Sequence, residues 1–245
     1  MSAPTPWLLR IDGDDVAWFP SRLSSEERLA LGAIRSPRRR AEYAAGRILA
    51  KFAGASAKGT RALAPCWRML ASGDLRRKSE SLDLSAYAVV ASRARSGPPR
   101  LYDRAAQRYD DGLSISHRWP FVAVTYGPDR RCGIDIERIG SVSAEVAAYF
   151  LPESATLSPT LPVLASGERN TLLWTIKEAT FKALRVPPGD CGVQDVHITD
   201  LRVMHRSQDG RVFALTSCMR VAGVAVAAQI RALRIGRLFC SEARL

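Results

Sequence analysis

Short segments with a hydrophobic residue at every second position alternate along the chain with longer segments of helical period. The clearest short segment is CGIDIE at 132–137. Alternate side chains of a strand share a face, so one face would pack on a core through Cys132, Ile134 and Ile136. The other face would carry a glycine and two carboxylates, Gly133, Asp135 and Glu137. Because glycine has no side chain, we expect it to leave room for a ligand beside the carboxylates.

The clearest helical segment is WTIKEATFKAL at 174–184, together with the preceding leucine. At about 100° per residue, its mostly apolar stripe contains Leu173, Ile176, Ala179, Thr180, Ala183 and Leu184. The opposite side combines aromatic and charged residues, namely Trp174, Glu178, Phe181 and Lys182. A merely solvated face rarely carries such large aromatic side chains. The pattern therefore predicts a helix that is covered on both sides, with an ionic site embedded in the second.

These two segments hold ligands that suit a metal bound to phosphate. Magnesium favours hard oxygen ligands and usually bridges a few carboxylates to substrate phosphate. Asp135, Glu137 and Glu178 would supply that set if the helix crosses the acidic face of the strand. Either motif alone is more often an ordinary surface, because acidic strand faces and helical Glu–Lys pairs such as Glu178–Lys182 are common. Their combination is far less common and predicts chemistry.

The remaining pattern predicts an α+β protein. Further helices are expected at 23–34, 38–53, 142–150 and 166–185. Further strands are expected at 7–19, 121–126, 196–206, 211–218 and 221–230. The GPDRR sequence after residue 126 is typical of a hairpin turn, so we expect 121–126 to pair with 132–137. Between residues 55 and 100 we expect strands joined by a long loop.

Composition narrows the classes of partner. The chain has 245 residues, enough for one large or two small domains, and 47% of them are hydrophobic. Its 36 Lys and Arg against 24 Asp and Glu give a formal charge of +12, which predicts an anionic partner. The five cysteines include no CxxC pair and indicate neither a disulfide framework nor a zinc site. With no leader-like or membrane-spanning segment in the sequence, we expect a cytoplasmic protein without a membrane partner.

The order of the motifs resembles that of the 4'-phosphopantetheinyl transferases of the larger, monomeric, Sfp-like type. The resemblance rests on Ser116 and His117, GIDIE at 133–137, WxxKEAxxK from Trp174 to Lys182, and an arginine-rich helix at 38–52. It spans about residues 35–185. It implies two similar α+β subdomains, 1–115 and 116–245, related by a pseudo-two-fold axis with the active site at their interface. A chain of this type is expected to be a monomer.

The resemblance also implies an activity. Enzymes of this family move the phosphopantetheine arm of coenzyme A to a serine of an acyl or peptidyl carrier protein and release 3',5'-ADP. By resemblance, Asp135, Glu137 and Glu178 would hold Mg²⁺ on the pyrophosphate. Glu178 would also be the candidate base for the carrier serine. Lys182 would neutralise phosphate oxygen and the developing charge.

The coenzyme A contacts implied by the resemblance are mainly basic. Arg47 occupies the family position for the 3'-phosphate, and Arg39 and Arg40 lie about two helical turns upstream. Ser116 and His117 would join them. Family members commonly carry a Gly-Lys-Pro before the Ser-His pair, and here Pro98 stands in place of the lysine, which Arg95 or Arg100 would have to replace.

Two other classes are compatible with part of this pattern. The charge of +12 and the RSPRRR run at 35–40 would suit a nucleic-acid-binding protein without transferase activity. The sequence contains no recognisable helix-turn-helix, zinc or RNA-recognition signature, so nucleic acid is not the expected partner. A metal-dependent nuclease would need a lysine two residues after Glu137, where Ile139 stands. The sequence does not distinguish carriers of fatty acid, polyketide or nonribosomal peptide synthesis.

Overall fold

A computed structural model describes residues 5–59, 67–90, 98–128, 131–151, 161, 164–185, 192–207, 211–221 and 223–245. The chain divides into two compact units, 1–130 and 131–245, which we call unit 1 and unit 2. Each contains helices packed on antiparallel or mixed sheets, so the α+β class is confirmed. The division falls after Arg130 rather than at the expected residue 115, because the strand that contains residue 115 pairs within the sheet of unit 1.

In its described residues, unit 1 contains two sheets and three α-helices. Its four-stranded sheet has the order β2-β1-β7-β6, formed by Arg68–Ala71, Thr5–Arg10, Phe121–Tyr126 and Leu113–Arg118. The three-stranded sheet follows the order β3-β4-β5, formed by Tyr87–Val90, Arg100–Asp103 and Arg108–Asp110. The helices are α1 at Ser25–Gly32, α2 at Pro37–Gly59 and α3 at Ser72–Ser79. Only β1 and β2 pair in parallel among these strands.

Helix α2 forms the centre of the unit 1 core. Its apolar side is fully buried through Ala44, Ala45, Ile48, Leu49, Phe52 and Ala53. At Gly46 the helix lies so close to β6 that an added Cβ would stand 3.2 Å from Cγ2 of Ile115. Ile115 and His117 share a face of β6 by strand alternation. This close crossing therefore brings the arginine-rich start of α2 to the end of β6 that carries His117.

The described part of unit 2 forms a five-stranded antiparallel sheet covered by one long helix. The strand order is β8-β12-β11-β10-β9, formed by Cys132–Arg138, Leu238–Arg244, Val224–Ile235, Val212–Val221 and Val196–Arg206. Helix α4 spans Ala144–Phe150 and helix α5 spans Ser166–Leu184. Helix α5 contacts β8 and β12 most extensively. Its buried face carries Leu172, Leu173, Ile176, Ala179 and Ala183, which share a core with the inner sheet residues Ile198, Leu215, Ile230 and Phe239.

Three predictions of secondary structure are wrong. The expected hairpin does not form, because β7 pairs with β1 and β6 whereas β8 pairs with the C-terminal strand β12. The strand expected at 7–19 is observed at Thr5–Arg10 only, and a 3-10 helix follows it at Gly13–Arg22. Part of the expected loop at 55–100 is helix α3, which Leu75 anchors in the core and Asp74 caps by accepting from the Ala71 backbone N–H at 3.3 Å.

The three closing strands expected from the sequence are confirmed as β9, β10 and β11, although β10 and β11 extend further than predicted. The fourth closing strand, β12, was not predicted. Within the described ranges, no helix combines the length and the apolar character needed to cross a lipid bilayer.

Candidate functional site

The acidic strand and the long helix meet at Gly133. A Cβ added there would stand 2.0 Å from the carbonyl oxygen of Ala179 and 2.6 Å from the backbone nitrogen of Ala183. Helix α5 thus crosses the face of β8 that carries Asp135 and Glu137, which is the condition that the metal-ligand prediction required. The expectation that Gly133 leaves room for a ligand is wrong, because the backbone of α5 fills that room.

The crossing places a lysine between two carboxylates. Nζ of Lys182 donates a hydrogen bond to Oδ1 of Asp135 at 2.6 Å and lies 3.7 Å from Oε2 of Glu178. The Asp135 side chain is only 6% exposed, while Glu178 and Lys182 are partly exposed. Glu137 lies two residues after Asp135 on the same face of β8, and its Oε2 accepts from the Ser141 hydroxyl at 3.3 Å. We call Asp135, Glu178 and Lys182 the acid–lysine cluster.

The electrostatics of this cluster leave Lys182 charged and make Glu178 a stronger base than usual. Burial raises the pKa of Glu178; the ammonium of Lys182 opposes that effect in part, and the charge of Asp135 adds to it. Burial lowers the pKa of Lys182, but the carboxylates of Asp135 and Glu178 outweigh it, so its pKa is raised overall. A carboxylate with a raised pKa binds a proton more readily near neutral pH.

The donor chemistry of the cluster fits a hard cation. Asp135 and Glu178 present carboxylate oxygens to a shared positive charge, which the Lys182 ammonium supplies here. Across the residues that the structure describes, no three carboxylate, histidine or cysteine side chains converge as a ready metal-ligand group. The three-carboxylate set of Asp135, Glu137 and Glu178 therefore stays a prediction.

The prediction that helix α5 is covered on both sides is confirmed. Trp174 and Phe181 are partly buried against the unit 2 core, and the Trp174 ring contacts Phe150 edge to face at a centroid distance of 5.5 Å. Lys177, which the sequence analysis did not single out, is fully buried and donates to the backbone carbonyl of Phe150. These contacts fix the helix turn that carries Glu178.

Unit 1 holds a second charged cluster, at the start of α2. Nη1 of Arg39 donates to Oε2 of Glu42 at 3.0 Å and lies 3.1 Å from Nδ1 of His117. Arg38 donates from Nε to the other oxygen of Glu42 at 3.3 Å. The structure therefore brings together the predicted residues Arg39 and His117. Glu42 was not predicted, although its position three residues after Arg39 and four after Arg38 on a helix was the available signal.

The other predicted residues of unit 1 lie around this cluster. The Arg47 guanidinium stacks on the Tyr43 ring at 4.4 Å, and its buried Nε has no hydrogen-bond partner among the described residues. It lies about 12 Å along the helix axis from Arg39, at about 1.5 Å per residue. Arg40 is exposed. Ser116 belongs to the face of β6 opposite His117 by strand alternation.

Pro98 stands where a lysine is usual in the family that the sequence resembles. Arg95 and Arg100 are the two candidate replacements for that lysine. Arg100 forms an ion pair with Asp111, with Nε and Oδ1 2.5 Å apart, so its charge is already partly neutralised. Arg95 lies outside the described residues. The replacement for the usual lysine therefore stays open between them.

An acidic strand crossed by a helix that carries a base and a lysine defines a class of site suited to phosphoryl-type transfer. Residues 131–219 match the model of the 4'-phosphopantetheinyl transferase superfamily. That range contains all three residues of the acid–lysine cluster, and a domain of this superfamily is present there. The superfamily implies a transferase that uses coenzyme A, typically with a divalent metal, and acts on a carrier protein. No curated protein matches the chain.

Proposed function

We propose that the protein transfers the 4'-phosphopantetheine group of coenzyme A to a serine of an acyl or peptidyl carrier protein and releases 3',5'-ADP. The observation that carries the proposal is the acid–lysine cluster, built where α5 crosses β8 at Gly133 inside the matched range. A buried aspartate, a glutamate with a raised pKa and a charged lysine meet the needs of phosphoryl-type transfer, which depends on positioning and charge neutralisation.

Each residue of the cluster has a distinct role in the proposed reaction. The serine oxygen of the carrier forms a bond to the phosphorus that bears the pantetheine, and the bond from that phosphorus to the oxygen bridging to 3',5'-ADP breaks. Glu178 accepts the proton of the serine hydroxyl, directly or through a water. Lys182 neutralises negative charge on the phosphate oxygens. Asp135 orients Lys182 through the 2.6 Å hydrogen bond.

Magnesium is the proposed metal, held by Asp135, Glu137 and Glu178. When bound, the ion would neutralise the pyrophosphate. Carboxylate oxygens that already share one positive charge are suited to it. Glu178 would keep its role as proton acceptor.

We assign the 3'-phosphate of coenzyme A to the basic residues of unit 1. Arg39 and His117 already lie together, and Arg47 presents a stacked guanidinium two turns further along α2. Guanidinium groups suit phosphate because they donate two parallel hydrogen bonds. Arg40 and Ser116 remain candidates for the same group. The formal charge of +12 would favour coenzyme A and an acidic carrier as partners.

The finer features implied by the sequence belong to this proposal as well. We propose the Sfp-like subtype, with two pseudo-symmetric subdomains and the active site at their interface, acting as a monomer in the cytoplasm. The arginine-rich α2 and the acidic β8 with α5 support this subtype, since its motifs occur in that order.

Intact-mass analysis of a carrier protein tests the proposed function. The protein is incubated with apo carrier protein, coenzyme A and Mg²⁺, and we expect the carrier to gain the mass of one phosphopantetheine group on serine. An unmodified carrier under these conditions, with tight retention of DNA by the protein, would favour the nucleic-acid-binding function instead.

A further inference from the structure

Glu42 lies at the centre of the unit 1 cluster and has no role in the function proposed above. Its side chain is 1% exposed, whereas the surrounding side chains reach solvent, with exposed fractions of 55% for Arg38, 59% for Arg39 and 39% for His117. Each carboxylate oxygen accepts from a different arginine. The oxygen bound to Arg39 also lies 3.6 Å from Nδ1 of His117.

Local helix pairing does not account for a carboxylate buried at this position. Arg38 and Arg39 precede Glu42 by one helical turn, and pairs of this kind stabilise a helix only slightly. Removing a carboxylate from water is costly unless its partners are well placed. His117 comes from strand β6 in another part of unit 1, so the arrangement depends on tertiary structure.

The contacts of Glu42 fix the direction of the Arg39 guanidinium. With Nη1 held between Glu42 and His117, the plane of the group is set. Its Nε and Nη2 have no hydrogen-bond partner in the part of the chain that the structure describes. Two such N–H groups can bind one phosphate in a fork. Two arginines against one carboxylate leave the cluster with surplus positive charge, so an anion remains favourable there.

We propose that Glu42 is a positioning residue that holds Arg39 and His117 as a preformed clamp for the 3'-phosphate of coenzyme A. This inference rests on the proposed function, because that function supplies the ligand. Glu42 acts through its neighbours, since it is buried beneath them and would repel the phosphate directly. Without its charge, Arg38 and Arg39 would lose their common acceptor, and Arg39 would no longer be held beside His117.

Binding of two nucleotides tests the proposal without any transfer step. Calorimetry measures the Kd of 3',5'-ADP and of 5'-AMP, which lacks the 3'-phosphate, for the full-length wild type and for Glu42→Gln. We expect the wild type to prefer 3',5'-ADP, and Glu42→Gln to lose about tenfold of that preference, the effect of losing roughly one charge-assisted hydrogen bond. The affinity for 5'-AMP should change little.

Glu27→Gln is the matched control, because Glu27 is equally buried in unit 1 but pairs with Lys51. It should lower stability without changing the ratio of the two Kd values. An unchanged ratio in a folded Glu42→Gln overturns the proposal, as does a wild type without preference for the 3'-phosphate. If Glu42→Gln does not fold, Glu42→Asp takes its place and should lose a smaller part of the preference for 3',5'-ADP. An unchanged ratio of the two Kd values in folded Glu42→Asp would also overturn the proposal. Failure of the proposed function would appear separately, as an unmodified carrier.

Discussion

Replacing Gly133 with alanine tests the crossing of β8 and α5 on which the candidate site depends. The added Cβ would stand 2.0 Å from the carbonyl oxygen of Ala179, so the helix must retreat by about 1.4 Å to reach the ordinary contact distance of 3.4 Å. Both nearest obstacles are backbone atoms, which cannot rotate away as a side chain can. The substitution therefore has to displace the helix turn that carries Glu178 and Lys182.

The displacement should reduce both stability and activity. Overpacking of this kind costs about 1–3 kcal/mol, and backbone obstacles place Gly133→Ala near the upper end. That corresponds to a fall in Tm of roughly 8–12 °C for a unit of this size. A shift on the order of 1 Å would also open the 2.6 Å bond between Lys182 and Asp135 and reduce kcat about 100-fold.

Differential scanning fluorimetry and carrier-modification kinetics measure these two effects. Gly167→Ala is the matched control, because Gly167 lies in the first turns of the same helix and an added Cβ there meets nothing within 4 Å. Gly167→Ala should keep the turnover of wild type. Its Tm should be unchanged or slightly higher, because alanine has a better helix propensity than glycine. If Gly133→Ala matched wild type in both measurements, α5 would not lie against β8 at this position.

Two further predictions concern individual charged groups. In the metal-free protein, the pKa of the Glu178 carboxyl should lie above the usual value of about 4.3, and Lys182→Met should raise it further by removing the cation that lowers it. Carbon-13 NMR measures both pKa values, with Glu178→Gln as the assignment control. A lower pKa of Glu178 in Lys182→Met than in wild type would contradict the cluster. Wild type should use dephospho-coenzyme A about 10- to 150-fold less efficiently than coenzyme A, as expected for one or more lost charge-assisted hydrogen bonds. The loss in Arg47→Ala should be strongly non-additive with removal of the 3'-phosphate, and additive losses in kcat/KM would show that Arg47 does not contact that group.

The parts predicted best from sequence are those in which a local period decides the structure. The alternation in CGIDIE and the helical stripe from Leu173 to Leu184 correspond to β8 and the buried face of α5. Both patterns depend on residues within one element, so the sequence contains them directly. The placement of Trp174 and Phe181 beside charges likewise indicated a helix covered on both sides.

The errors arose where a distant part of the chain decides the outcome. A turn-like GPDRR suggested a hairpin, but β8 takes its partner from β12 at the far end of the chain, whose LFCSEAR sequence has no clear alternation. The role of Gly133 was misread because the atom that fills its space belongs to Ala179. Glu42 was overlooked because its importance comes from His117, which only the fold brings near.

The mass of the carrier protein after incubation with Asp135→Ala, beside wild type, tests the central claim most directly. Asp135 is the buried group that orients Lys182, and its loss removes an acceptor of a charge-assisted bond. We expect wild type to convert the carrier in the presence of a divalent cation and to stop in excess chelator. Folded Asp135→Ala, checked by circular dichroism, should leave the carrier unmodified. Full conversion by that variant, or by wild type in chelator, would contradict the proposed site.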